Sequence, residues 1–289
     1  MDESLKHKLI AAQRAEITEH HVYRGIARRQ KNERNRATLQ RIADDELRHY
    51  EFWAEHTGVR PGPRRLTALK FRLLARLAGP TFAIKLMERG EEGAQENYAP
   101  VVEAIPEAAA VLKDEIDHER ELIAMIDEER LRYVGSVVLG LSDALVELTG
   151  ALAGLTLALR NSRLIAMIGL ITGVAAALSM AASEYLSTKS EPNGGKSPGK
   201  SAFYTGWAYT LTVASLIAPF LLLGSPLVAL GLTMAIALAI ILAFTYYVAV
   251  TKDLPFWLRF AEMAGLCVGV AAVSFGIGYL VRAAFGVEA

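Results

Sequence analysis

The sequence predicts an all-α protein in two parts, a soluble helical bundle over residues 1–132 and a five-helix transmembrane domain over residues 133–289. Three observations carry this. Residues 1–132 hold 23 Lys and Arg and 24 Asp and Glu, whereas residues 133–289 hold only 8 and 7. All six histidines lie in the first part. The second part is an almost unbroken succession of apolar stretches, each as long as the roughly 20 residues a helix needs to cross a hydrocarbon core. The net charge of zero is thus the sum of two unlike halves and says little about partners. No nucleic-acid partner is expected.

In the first part, residues 3–31, 33–57, 80–103 and 106–132 read as four helices. They are rich in Ala, Leu, Glu and Arg and repeat apolar residues at three- and four-residue spacing. Thr57-Gly58-Val59-Arg60-Pro61-Gly62-Pro63 breaks the chain at the end of the second helix. Pro106 fits the first turn of the fourth helix. That helix is expected to run almost directly into the first span. Between the second and third helices, residues 64–79 place Leu66, Leu69, Leu73 and Leu77 on one stripe among Arg64, Arg65, Lys70, Arg72 and Arg76. Two readings are open: a helix lying on an anionic membrane surface, or a crossover helix packed on the bundle.

In the second part, spans are expected near 134–159, 164–187, 202–223, 226–250 and 260–285. With the N-terminal domain in the cytoplasm, the flanks on that side carry Arg130, Arg132, Lys189, Lys196, Lys200, Lys252 and Arg259. The opposite flanks carry only Arg160, Arg163 and Arg282. The excess favours a cytoplasmic N-terminus and an external C-terminus. The first residues are charged and lack the apolar core of a signal peptide. Cys267 is the single cysteine, so no disulfide and no multi-cysteine metal site forms within one chain.

Two Glu-x-x-His pairs stand out, Glu46-Leu47-Arg48-His49 and Glu115-Ile116-Asp117-His118. Positions i and i+3 share a helix face, so each pair can grip one metal ion. Glu16 precedes Tyr23 by seven residues, and Glu91 precedes Tyr98 by the same seven. The half therefore reads as an approximate duplication, Glu-x6-Tyr followed by Glu-x-x-His. A carboxylate-bridged two-metal bundle uses one Glu from each of two helices and a Glu-x-x-His from each of the others. Glu16, Glu46, His49, Glu91, Glu115 and His118 fill those places. Counted from their shared turns, the ligands of paired helices fall within roughly 3–5 Å of one level at 1.5 Å per residue. Glu88 and Glu92 compete with Glu91 for its place. Glu19, His20 and His21 read as groups flanking the site or on the surface. Four carboxylates and two imidazoles suit iron or manganese.

With these residues in view, about residues 5–130 resemble the rubrerythrin-type branch of the ferritin-like superfamily. The resemblance implies a four-helix fold with a di-iron site.

The first span contains Gly140-Leu141-Ser142-Asp143, with Glu147 four residues beyond Asp143 on the same face. The second contains Ser179-Met180 and Glu184-Tyr185-Leu186-Ser187, with Met180 and Glu184 also four apart. Ionisable groups inside a span are costly and mark functional positions. Glu262, near the start of the last span, reads as interfacial. Gly150-x3-Gly154 and Gly265-x3-Gly269 allow close helix packing, within the chain or between subunits.

The marks of the first two spans, and the five-span plan, resemble the vacuolar iron transporter family over about residues 130–289. This implies a homodimer that moves Fe²⁺ or Mn²⁺ out of the cytosol in exchange for H⁺, with Asp143, Met180 and Glu184 lining the path. Plant-type members carry a helical metal-binding insert between spans two and three. Here the link is only residues 188–201, with Glu191 as its sole acid, and the resemblance implies that the N-terminal domain takes the place of that insert. The whole arrangement resembles the membrane-bound ferritins of prokaryotes, which implies a multi-pass protein of the cell membrane in contact with membrane lipid.

The leading expectation is therefore metal export, with the N-terminal domain capturing, oxidising or sensing iron. No catalytic residue is assigned. The alternative is a di-iron ferroxidase or peroxide-reducing oxidase anchored by the spans. It leaves the carboxylates of spans one and two without a role.

Overall fold

A computed structural model of the chain describes residues 3–90, 98–124, 132–191 and 195–285. Among these, all regular structure is helical. The chain divides into two compact units, Met1–Glu128 and Glu129–Ala289.

In the first unit, α1 (Glu3–Ala27) and α2 (Glu33–Thr57) form a hairpin. Asn32 stops the turn and starts α2, its side-chain oxygen accepting from the N–H groups of Arg34 and Asn35 at 3.0 and 3.2 Å. Gly58 ends α2 in the left-handed region (φ 72°), where a side chain would be strained. The helix α3 (Arg65–Leu77) lies against α1 and against α4 (Pro80–Arg89), which opens on Pro80 after Gly79 at φ 102°. The expected helix over 80–103 is represented by α4 and α5 (Tyr98–Ala104), and Glu91 and Glu92 between them lie outside the described residues. The helix α6 (Ala108–Ala124) packs on α2 and α5. The junction from α6 to the first span also lies outside the described residues.

Two apolar clusters hold this unit. One joins Val22, Tyr23 and Ile26 of α1, Leu39, Ile42 and Ala43 of α2, Phe71 of α3, Ile84 and Met87 of α4, and Leu122 of α6. The other joins Leu9, Trp53, Val101, Ile105 and Val111. On α1, α2 and α6 alike, the chain runs from one cluster to the other. The residues between them are Glu16 on α1, Glu46 and His49 on α2, and Glu115 and His118 on α6. A polar layer is therefore enclosed between two apolar ones.

The second unit contains five helices long and apolar enough to cross a membrane. They are α7 (Val134–Leu159), α8 (Ser162–Ser190), α9 (Pro198–Leu222), α10 (Pro226–Lys252) and α11 (Phe256–Phe285). Tight connections set them up. Asn161 caps α8 through Leu164 N–H at 3.1 Å, and Pro198 and Pro226 open α9 and α10. The central helix is α7, which touches the other four. Its Ala144, Leu145, Leu148 and Leu152 pack with Tyr209, Val213, Leu216 and Phe220 of α9, Ile165 of α8 and Ile241 of α10. Thr149 and Thr156 satisfy their hydroxyls on carbonyls one turn back, at 2.5 and 2.6 Å. Large apolar side chains of α8, α10 and α11, among them Ile171, Leu178, Leu232, Trp257 and Leu280, stay exposed, as a lipid-facing surface requires. These features support a multi-pass membrane protein.

Small residues bring α7 close to its neighbours. A methyl group at Gly150 would meet Val270 and Ser274 of α11 at 2.9 and 3.2 Å. Gly154 likewise faces the Ser274 backbone at 3.0 Å. This glycine pair therefore serves packing within the chain, whereas Gly265 and Gly269 face open space. Glu262 pairs with Arg259 at 3.1 Å on the exposed first turns of α11.

Candidate functional site

In the first unit, Glu16, Glu46, His49 and Glu115 each place one ligand atom within 4.8 Å of all the others. Nδ1 of His49 lies 3.7 Å from Glu16 Oε2, 3.5 Å from Glu46 Oε2 and 3.0 Å from Glu115 Oε1. His118 extends the group, its Nδ1 3.2 Å from Glu46 Oε1 and its ring 5.8 Å from that of His49. Five of the six candidate ligands thus meet in one buried layer. The sixth, Glu91, lies outside the described residues. Glu88 is half-buried on α4.

Although these atoms are close, Glu46 Oε2, His49 Nδ1, Glu115 Oε1 and His118 Nδ1 are buried without a hydrogen-bond partner. Buried polar atoms are rarely left so, because the lost hydration is not recovered. Atoms that converge without bonding to one another suit a shared cation. The donor set of carboxylate oxygens and imidazole nitrogens fits iron or manganese.

The other imidazole nitrogens turn outward to carboxylates. His49 Nε2 lies 3.4 Å from Asp114 Oδ2, and His118 Nε2 lies 3.0 Å from Asp45 Oδ2. An Nε2–H held this way leaves Nδ1 as the free nitrogen facing the cluster. Asp45 is in turn held by Arg41 and Arg48 at 2.9 and 2.6 Å. Trp53 Nε1 donates to Glu16 Oε1 at 3.1 Å. The sequence reading missed Asp45, Asp114 and Trp53. One signal was present: both pairs read Asp-Glu-x-x-His, and each Asp serves the histidine of the other helix.

Burial and mutual charge shift the groups of this layer in opposite directions. Burial lifts the Glu16 carboxyl well above its ordinary range, more than nearby His49 offsets, and the charges of Glu46 and Glu115 add to the rise. Burial also raises Glu115. Glu46 is buried too, but His118, His49 and Glu16 outweigh this and bring it down to about 2. Burial disfavours the His49 imidazolium, yet Glu115, Glu16 and Glu46 push it up to about 12. His118 is raised against its burial by Glu46 and Asp45.

The residues flanking this layer have other partners. His20 is buried and its Nδ1 sits 2.6 Å from the Ala43 carbonyl, a link between α1 and α2. His21 is exposed, its ring edge-on to that of His20 with centroids 5.2 Å apart, and Glu19 is buried beside an apolar cavity of about 470 Å³.

In the second unit, Ser136, Gly140, Asp143 and Glu147 recur along one face of α7. Ser136 Oγ donates to Glu184 Oε1 of α8 at 2.7 Å. Tyr209 of α9 donates to Glu147 Oε2 at 2.7 Å, and Thr205 donates to the Ser136 carbonyl at 2.9 Å. At Gly140 the Thr205 backbone comes so close that a Cβ would collide with it. This stripe of α7 therefore faces α8 and α9, with half-buried Asp143 between Gly140 and Glu147. Met180, one turn before Glu184, packs at the edge of the apolar core. Among the described residues, the carboxylates of the spans do not gather into a cluster like that of the first unit. Ser136, Thr205 and Tyr209 were not foreseen, because their partners lie on other helices.

No curated protein matches the chain. The VIT family matches residues 134–194, the first two spans with Asp143, Glu147, Met180 and Glu184, and with the five apolar helices this supports a VIT-type membrane domain.

Proposed function

We propose that the protein exports Fe²⁺ or Mn²⁺ from the cytosol, with the N-terminal unit as a ferritin-like two-metal site that captures the ion. The VIT match suggests iron or manganese transport across a membrane. The observation that carries the reading is the α7 stripe of Asp143 and Glu147, with Glu184 of α8 bonded to its end through Ser136. Carboxylates within spans are costly, by roughly 2.5–3.5 kcal/mol each at a helix centre. A dehydrating divalent cation offsets that cost. The thioether of Met180 adds a softer ligand one turn away.

In this reading Asp143, Met180 and Glu184 line the path. The carboxylates take up the ion when deprotonated and are reprotonated from the far side, which exchanges metal for H⁺. The excess of Lys and Arg on one set of flanks supports a cytosolic N-terminal unit and an external C-terminus. The homodimer is part of the same proposal.

Glu16, Glu46, His49, Glu115 and His118 hold the captured ions in the N-terminal unit, with Glu91 completing the set. Iron held there supplies the capacity to react with O₂ or peroxide. Asp45 and Asp114 keep both imidazoles oriented, and the two apolar layers keep water out. Glu46→Ala combined with Glu115→Ala should strip the bound metal and leave helix content intact. Fe²⁺ flux into proteoliposomes, measured with the parent and this double variant, tests the division of labour. Slower flux at low Fe²⁺ only is the result expected of a capture site. Unchanged metal stoichiometry in the double variant would remove the site from the account.

A further inference from the structure

We propose that the seam between α1 and α3 binds the headgroups of anionic phospholipids, with α3 lying on the bilayer surface through Leu66, Leu69 and Leu73. Arg24 and Arg28 of α1 and Arg65 and Arg72 of α3 surround a cavity of about 410 Å³, together with His21, Pro63 and Leu69. The lining contains no acidic residue. Among the described residues, none of the four arginines forms an ion pair with a carboxylate. Elsewhere in the same unit arginines are paired, as Arg41 and Arg48 are with Asp45. Four guanidinium groups around one cavity, with no carboxylate partner among the described residues, are a phosphate-binding arrangement, since their forked donors match phosphate oxygens. Gly25 makes room for it: a methyl there would come within 2.7 Å of the Arg72 Nε, so Arg72 lies flat along α1.

The apolar side of α3 identifies the source of the phosphate. Ala68 and Phe71 turn into the core, while Leu66, Leu69 and Leu73 are 84%, 61% and 52% exposed. Leu69 both lines the basic cavity and belongs to this stripe. From Arg64 to Gly79 the chain carries five cations and no acid. A second copy of so basic a helix would repel it, whereas a lipid surface offers negative headgroups and an apolar interior side by side. The chain carries its own membrane anchor, which raises the effective concentration of that surface. A crossover helix that served only the bundle would not leave three leucines in solvent.

The test uses the full-length chain in nanodiscs of phosphatidylcholine alone, or mixed with phosphatidylglycerol. A polarity-sensitive fluorophore is attached at Leu69→Cys in a Cys267→Ser background. The expected result is a blue-shifted label, quenched by nitroxide lipids in the anionic discs and much less so in the neutral ones. Arg24→Gln, Arg65→Gln and Arg72→Gln should each lower the docking equilibrium about fivefold, with unchanged melting temperature. Leu66→Gln with Leu73→Gln should abolish quenching while leaving the arginines in place. Equal quenching in both lipids, or none in either, overturns the proposal. So does quenching only in discs with two copies, which would make the occupant a second chain. Release by inorganic phosphate alone would make the seam a site for the free anion and equally overturn it.

Discussion

The Nε2 atom of His118 lies 3.0 Å from Oδ2 of Asp45, on a different helix. With His49 and Asp114 making the reciprocal contact, each Asp-Glu-x-x-His segment gives its Glu to the shared layer and its Asp to the histidine opposite. The contact fixes which imidazole nitrogen faces the cluster. Asp45→Asn keeps the shape and removes the charge. It should weaken metal binding about 10–100-fold, the usual effect of losing a carboxylate behind a metal-ligating histidine. Titration of the purified protein with Mn²⁺ measures this. Asp114→Asn should have the smaller effect, because Asp114 is more exposed and lies 3.4 Å away.

Metal uptake should release protons. The surrounding carboxylates push His49 up to about 12, so the metal-free layer keeps a proton on its imidazole at neutral pH, and burial raises Glu16 in the same direction. A cation that takes His49 Nδ1 as a ligand must displace that proton. Raising the pH from about 6 to about 8 should therefore tighten binding, and weakly buffered protein should acidify on addition of Mn²⁺. Calorimetry in buffers of different ionisation enthalpy counts the protons. Affinity that is independent of pH would contradict the ligand assignment.

Trp53 is fully buried and donates to Glu16. Trp53→Phe should preserve the apolar packing and leave Glu16 Oε1 without its donor. The expected outcome is a weaker metal site, by about tenfold, at a cost of about 1–3 kcal/mol in stability. Parallel thermal melts and metal titrations separate the two effects.

Gly140 lets the Thr205 backbone approach α7. Gly140→Ala should force α7 and α9 apart and destabilise the second unit by about 1–3 kcal/mol. It should also disturb the Ser136–Glu184 and Tyr209–Glu147 bonds on either side. Gly265→Ala, which meets open space, is the control and should leave the melting temperature in detergent unchanged.

Helical spacing made part of this site legible in the sequence. Glu46 with His49, Glu115 with His118, and Asp143 with Glu147 are each pairs on one helix, and three- and four-residue spacing reports such pairs directly. The five spans were equally visible, because length and apolarity alone define them. What the spacing cannot report is contact between helices. Asp45 meets His118 across 73 residues of sequence, Ser136 meets Glu184 across 48 and Tyr209 meets Glu147 across 62. The exposure of the α3 leucines was likewise undecidable, since an amphipathic stripe reads the same whether it faces a core or a bilayer.

The central claim is that metal crosses the membrane beside the α7 stripe. Uptake of Fe²⁺ and Mn²⁺ into proteoliposomes by the parent, Asp143→Asn and Glu184→Gln tests it most directly, with a thermal melt for each variant. The account predicts transport by the parent and near-complete loss in both variants, with melting temperatures at or above the parental value. Parental transport rates in both would contradict it.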